Sequence, residues 1–249
     1  MGKLFNLDSP FMQFMNRVAD LMWLNILFVI CCIPVITIGD SVTAMYYVTL
    51  KMVRNEESYI TKSFFRSFKQ NFIQATVIWI IAIIAGGLLV FDYYVMSGRT
   101  GVKAANDTIA TVMQVLLIAV LIFYVFTFTF VFPLLSKFDN TIRNTIKNAF
   151  IMSIRHFPVT LASIAVMMIT ALLIIYLPIM LLFSIFLLFS LAAYCCSFMY
   201  VKVFDKYIPE AAADALDEEA VTEDVSSLSD DAAEPEKEIN VTEVPGESE

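Results

Sequence analysis

Residues 159–201 read VTLASIAVMMITALLIIYLPIMLLFSIFLLFSLAAYCCSFMYV, 43 residues without an aspartate, glutamate, lysine, arginine or histidine. As one helix this run would extend about 65 Å, twice the thickness of the hydrocarbon core of a bilayer. The run must therefore fold back on itself. Tyr176-Leu177-Pro178 is the best turn, because proline disfavours helix at the preceding residue and tyrosine favours the membrane interface. This run alone predicts two membrane-spanning helices.

The composition of the whole chain agrees with this. Of its 249 residues 59% are hydrophobic and 16% charged, with a mean hydropathy of +0.76. Soluble domains average about 45–50% apolar and about 25% charged residues, so a soluble globular protein is excluded. Further apolar runs cover residues 21–35, 72–91 and 108–135. We predict an all-α polytopic membrane helix bundle with five to six transmembrane helices.

The number of helices depends on residues 18–50. One helix of these 33 residues would be about 50 Å long, too long for a single crossing. Pro34 and Gly39 bracket a possible break, and we favour a helical hairpin here, which gives six spans with both termini on the same side. A single crossing with five spans stays open, as does the question whether the second arm spans fully or is re-entrant.

Positive charge assigns the sides of the membrane. Residues 51–69 carry five bases and residues 137–155 four, whereas the two bases of residues 92–107 are offset by two acids. Under the positive-inside rule the first two segments are cytoplasmic, as are the C-terminus and, with a hairpin, the N-terminus. Residues 59–72 also place aromatic residues at helical spacing, which is typical of an interfacial helix. We name residues 59–72 and 137–155 the basic elbows, and their candidate interfacial residues are Lys62, Arg66, Lys69, Arg143, Lys147 and Arg155.

The C-terminal tail has a different composition. From Asp205 onward the chain holds 16 acids and two bases, whereas the preceding residues hold 14 bases and eight acids. Few apolar residues remain to offset the loss of chain entropy, so we predict disorder. The predicted domains are therefore a transmembrane helical domain at 1–205 and a disordered acidic cytoplasmic tail at 206–249.

The sequence offers little reactive chemistry. Its single histidine, His156, excludes zinc motifs that need two histidines, and Gly-rich phosphate loops are missing. The vicinal cysteines, Cys31-Cys32 and Cys195-Cys196, are predicted to be small buried hydrophobic residues. Asn25 and Gln114 are predicted to form interhelical hydrogen bonds. We predict no enzyme, no catalytic, cofactor-binding or metal residues, and no nucleic-acid partner, with the lipid bilayer as the surroundings.

One polar turn is a candidate functional site. It consists of Pro34, Thr37, Gly39, Asp40 and Thr43, at the proposed helix break. Non-helical backbone at membrane depth is tolerated where protein covers it or where it lines a cavity, so these residues could line a binding site or a narrow path. The alternative is structural, with Asp40 or Ser41 as the N-cap of the second arm at the outer surface.

The same region resembles a known family. The residues that carry the resemblance are the segments 33–39 (IPVITIG), 43–46 (TAMY), 51–54 (KMVR) and 64–72 (FFRSFKQNF). They are similar to the YesL family of uncharacterised bacterial membrane proteins, over about residues 1–205. Asp40 departs from the pattern, since a small or apolar residue is expected there, and the acidic tail looks like an addition. The resemblance implies a location in the bacterial cell membrane and supplies no catalytic residues.

Similar proteins are typically encoded beside carbohydrate ABC importers, which implies an accessory role in sugar uptake with importer subunits as partners. The leading hypothesis is therefore a non-enzymatic accessory that acts through helix packing and the basic elbows. The alternative is a transport component itself, a permease-like subunit or a small-solute path through residues 37–43. Neither basic elbow shows the cytoplasmic coupling helix expected of an ABC permease, which lowers this alternative.

Overall fold

The computed structural model describes residues 10–56, 59–96, 107–177, 179 and 183–207. In these ranges the chain is helical and contains no strand, so the predicted all-α class is confirmed. A 3-10 turn at Val35–Thr37 precedes α2, and a π-helical turn at Ser184–Leu188 precedes α7. The helices are α1 (Pro10–Cys31), α2 (Ile38–Val53), α3 (Ile60–Met96), α4 (Asp107–Lys137), α5 (Ile142–Arg155), α6 (Phe157–Tyr176) and α7 (Phe189–Phe204).

Five of the described helical segments are long and apolar enough to cross a membrane: Phe11–Cys31, Ile60–Val95, Thr111–Lys137, Phe157–Tyr176 and Ser184–Phe204. The chain is therefore a multi-pass membrane-type protein, as predicted. Helix α2 is not among the five, because its 16 residues extend only about 24 Å. The five candidate spans include α1, and α2 is a shorter arm that returns from it.

The predicted hairpin of α1 and α2 is present. Arg17, near the start of α1, donates hydrogen bonds to the carbonyl oxygen of Met52 at 2.5 Å and to the side chain of Asn55. Asn55 follows the C-cap residue Arg54 of α2 and has a left-handed φ of 58°, a conformation in which asparagine commonly ends helices. The start of α1 and the end of α2 therefore lie at the same end of the hairpin.

The tip of this hairpin lies beside the middle of α3. The indole N–H of Trp79 donates a hydrogen bond to the carbonyl oxygen of Val35 at 2.9 Å. Trp79 is the twentieth of the 37 residues of α3, which continues to Met96 for about 25 Å beyond this contact. The hairpin thus stops well short of the far end of α3, which is the geometry expected of a re-entrant arm.

The core surrounds α2, in which 11 of 16 residues are buried. The ring of Tyr200 on α7 packs edge-on against Tyr46 on α2 and Phe130 on α4, with ring centroids 5.8 and 5.1 Å apart. The hydroxyls of Thr49 on α2 and Ser197 on α7 are hydrogen-bonded at 2.8 Å. Protein therefore surrounds α2, whereas a spanning helix at the edge of a bundle would face lipid.

Large apolar side chains are exposed along α3, α4 and α6. They include Ile80, Ile84, Leu88, Phe91, Val112, Leu116, Val120, Leu161, Met168 and Ile175. Soluble monomers rarely expose continuous apolar surfaces of this extent, so these faces are suited to lipid. Their positions match the apolar runs from which the sequence predicts membrane helices.

The segment boundaries differ in part from those predicted. Helix α3 begins at Ile60, so the first basic elbow and the following span form one unbroken helix. Helix α6 ends at Tyr176 as predicted, whereas Pro178 lies outside the described residues. The chain divides into two compact units, Met1–Val203 and Phe204–Glu249. Only residues 204–207 of the second unit are described, so the disorder of the acidic tail stays a prediction.

Candidate functional site

The break between α1 and α2 covers residues 32–37. Pro34 interrupts the helix, since it disfavours helical backbone at Ile33 and adopts an extended conformation itself, with ψ at 119°. The hydroxyl of Thr37 lies 2.6 Å from the carbonyl oxygen of Cys31 and 2.8 Å from that of Pro34. Thr37 thereby ties the C-terminal end of α1 to the start of α2, which fixes the break as a compact turn.

Gly39 holds this turn against α3. It is buried within the first turn of α2, so the prediction that Gly39 forms one side of the break is wrong. A Cβ atom at this position would lie 2.6 Å from Cβ of Trp79 and 2.9 Å from the carbonyl oxygen of Ala75. Only glycine permits so close an approach of α2 to α3, and the residue serves packing and not chain reversal.

Asp40 is the unusual residue of the site. It is completely buried, and within the described part of the chain neither carboxyl oxygen has a hydrogen-bond partner. The predicted structural alternative is wrong, because Thr37 is the N-cap and makes no side-chain capping bond. Ser41 instead donates to the carbonyl oxygen of Thr37 at 2.9 Å. A buried carboxyl group without a protein partner is expensive and is by default a candidate for function.

The other candidate residues of the turn take different positions. Thr43 is buried in α2 and donates to the carbonyl oxygen of Gly39 at 2.9 Å. Pro34 is exposed at the tip, beside Ile33, Val35 and Ile36, which are also exposed. The structure therefore places Thr37, Gly39, Asp40 and Thr43 together on the covered side of the break and leaves Pro34 on its outer side.

The first basic elbow packs in part against the protein core. Within it Ser63, Phe64 and Ser67 are buried, because this part of α3 packs along α2, whereas Phe65 and Phe72 are exposed. Lys62 and Arg66 are half-buried, and Lys69 is exposed. The predicted interfacial helix is thus half of a helix pair that includes the core helix α2.

The second basic elbow contains α5, which buries Thr145, Ala149 and Met152 on one face. Arg143 and Lys147, four residues apart, are exposed on another face, and Arg155 is exposed at the C-terminal end of the helix. Between these cations the exposed positions include apolar side chains, with Phe150, Ile151 and Ile154 each 41–48% exposed. Exposed cations at both ends of α5 and exposed apolar groups between them are typical of a helix at a boundary between water and lipid.

Asn25 connects α1 to the π-helical turn before α7. Its amide donates to the carbonyl oxygens of Ser184 and Ile185 at 2.8 and 2.7 Å, and its oxygen accepts from the N–H of Ser190 at 2.8 Å. These backbone groups flank the π-helical turn, where the regular hydrogen-bond ladder is interrupted. The prediction of an interhelical hydrogen bond is confirmed for Asn25.

Three features were missed or mistaken at the level of sequence. The sequence did not single out Arg17, whose guanidinium binds the carbonyl oxygen at the C-terminal end of α2. Nothing in the sequence was a reason to single out Trp79, because tryptophan is common in apolar runs. Of the four cysteines only Cys196 is buried, while Cys195 is exposed and the Cys31-Cys32 pair is half-buried, so the prediction of four buried residues is wrong.

Comparisons with known proteins bear on the same region. The model of a family described as "Protein of unknown function, DUF624" matches residues 21–93. No curated protein matches the chain, and no solved structure does. The matched residues run from the buried part of α1 through the break and α2 almost to the end of α3. The chain is therefore similar, in the hairpin and the helix that supports it, to an uncharacterised family of proteins.

Proposed function

We propose that this chain is a non-enzymatic membrane protein of the bacterial cell membrane that acts as an accessory to carbohydrate uptake, beside an ABC-type importer. The sugar and the importer follow from the resemblance to the YesL family. The physical support is the exposed basic face of α5, on which Arg143 and Lys147 have no acidic partner among the described residues. Such a face fits an acidic surface of a cytoplasmic partner subunit.

The orientation belongs to the same proposal. The two basic elbows are cytoplasmic under the positive-inside rule. Because the start of α1 lies at the same end of the hairpin as Met52 and Asn55, the N-terminus is then cytoplasmic as well. With this orientation the tip at Pro34 points into the membrane from the cytoplasmic side.

A second function is favoured by one observation, the burial of Asp40 at a helix break. The chain would then be a transport component itself, either a permease-like subunit or a path for a small solute along residues 37–43. Intramembrane acids without a partner commonly mark substrate and ion paths. Uptake by proteoliposomes that contain only this chain, abolished by Asp40→Ala, would favour this second function over the first.

Co-purification tests the accessory role. The full chain, extracted from its own bacterial membranes in mild detergent, should bring importer subunits with it in near-stoichiometric amounts. Arg143→Gln combined with Lys147→Gln should reduce that recovery about tenfold or more, since charge pairs at interfaces contribute about 1.5 kcal/mol or more. Quantitative mass spectrometry of the eluate provides the measurement.

The matched control is Lys202→Gln combined with Lys206→Gln, which removes the same charge from two other exposed positions. This control should recover the importer as the wild type does. Recovery of the wild-type chain alone would contradict the accessory role, and equal losses in both double variants would show that net charge matters and the α5 face does not.

A further inference from the structure

The carboxyl group of Asp40 is buried without a compensating charge among the described residues. The side chain has no accessible surface, and it makes neither a hydrogen bond nor an ion pair with any described residue. An isolated carboxylate is strongly disfavoured in an apolar interior unless it is paired, coordinates an ion or is neutralised. The protein side chains described around the break supply no such cation, so the carboxyl group is either neutral or compensated by an ion from outside the protein.

Threonine hydroxyls lie on either side of Asp40 along the chain. Thr37, the N-cap of α2, stands three residues before Asp40 and Thr43 three residues after it, so each is within one helical turn of Asp40. Both hydroxyls donate their hydrogens to backbone carbonyls, so their oxygen lone pairs stay available to a cation. Thr37 also holds the carbonyl end of α1, the negative end of its dipole, at this turn.

We propose that the break between α1 and α2 binds a small monovalent metal cation, with sodium as the test ion and Asp40 as the charged ligand. A proton would not need the flanking hydroxyls, whereas a metal ion is bound by several oxygens. Divalent cations in oxygen sites normally have more than one carboxylate. Among the described residues no group of three or more histidine, cysteine, aspartate or glutamate side chains is placed to hold a metal, so a single charge is the better match.

The site goes beyond the accessory role and does not depend on it, since a bound ion could support the hairpin in either proposed function. The test uses the full chain in mild detergent, without an importer. At alkaline pH and constant ionic strength, sodium chloride should raise the midpoint of thermal unfolding by about 3–5 °C over N-methylglucamine chloride. Asp40→Asn should abolish this shift. The control Asp92→Asn changes an exposed acid of α3 and should keep it.

A direct measurement of sodium binding by the wild type tests the proposal even if Asp40→Asn does not fold. Wild-type protein should bind radioactive sodium in a scintillation proximity assay at about one ion per chain, and Thr43→Val should weaken that binding several-fold. Absence of saturable sodium binding by the wild type would overturn the proposal. So would stabilisation by acidification together with no effect of sodium at alkaline pH, because the carboxyl group would then be satisfied by a proton only. Loss of importer recovery would leave these results unchanged, and therefore the two proposals fail separately.

Discussion

Gly39→Ala should destabilise the folded chain by about 1–3 kcal/mol, the usual cost of forcing an extra methyl group into a packed interior. The new Cβ would lie 2.6 Å from Cβ of Trp79 and 2.9 Å from the carbonyl oxygen of Ala75. Neither atom is the end of a flexible side chain, so α2 has to move away from α3. That movement would also weaken the hydrogen bond from Trp79 to Val35. Denaturant unfolding in mild detergent measures the loss.

Gly87→Ala is the matched control on α3. No described atom other than its own helix and neighbours lies within 4 Å of a Cβ atom placed there. Alanine also has the higher helix propensity, so this variant should be as stable as the wild type or slightly more stable. If the two variants unfold at the same denaturant concentration, the close packing of the hairpin on α3 is not what fixes the break.

Asn25→Leu should cost about 2–4 kcal/mol, because it leaves two carbonyl oxygens and one N–H beside the π-helical turn without their partner. Each buried polar group left unsatisfied costs about 1–3 kcal/mol, although hydrogen bonds inside membranes average nearer the lower value. The turn should then relax toward a regular helix. Unfolding in mild detergent measures the stability.

Asn71→Leu supplies the comparison for Asn25. Asn71 is also buried, but among the described residues its amide bonds to Ser67 in its own helix and to no other helix. Its replacement should cost less than about 1 kcal/mol, the net value of one ordinary hydrogen bond. A larger loss for Asn71 than for Asn25 would mean that the contact between α1 and the π-helical turn does not stabilise the fold.

Much of the fold could be predicted because lipid imposes simple requirements on a sequence. The long apolar runs gave the helices, and Tyr176 marked the end of α6 because proline follows two residues later. Pro34 marked the break between α1 and α2 for the same reason. These signals are local, and a sequence displays them without any knowledge of which helices pack together.

The packing of the hairpin could not be predicted in the same way. Gly39 looked like part of the turn because glycine favours turns and close packing equally well. Only the position of Trp79, 40 residues later in the chain, decides between the two roles. The length of α2 was also ambiguous, since a short helix with many buried residues cannot be distinguished from a membrane span by its apolar pattern.

The sequence identified the residues of the candidate site, but it did not show whether Asp40 has a hydrogen-bond partner. The sequence placed Thr37, Asp40 and Thr43 together only as polar neighbours at the proposed break, and Asp40 was equally compatible with a helix cap. The structure excludes the role of Asp40 as a helix cap, because Asp40 lies buried and makes no hydrogen bond to the amides of the first turn of α2. Whether a side chain finds a partner depends on all its neighbours, and spacing along one helix does not contain that information.

The central claim is that the chain enters the membrane in α1, turns at Pro34 and returns in α2 to the same side. Single cysteines at Gln13, Asn55 and Asp92, in a chain whose four native cysteines are replaced, test it through labelling with a membrane-impermeant maleimide. All three positions are exposed. We predict that Gln13 and Asn55 are labelled from the same side and Asp92 from the opposite side. Labelling of Gln13 from the side of Asp92 would contradict the hairpin, because α1 would then cross the membrane without returning.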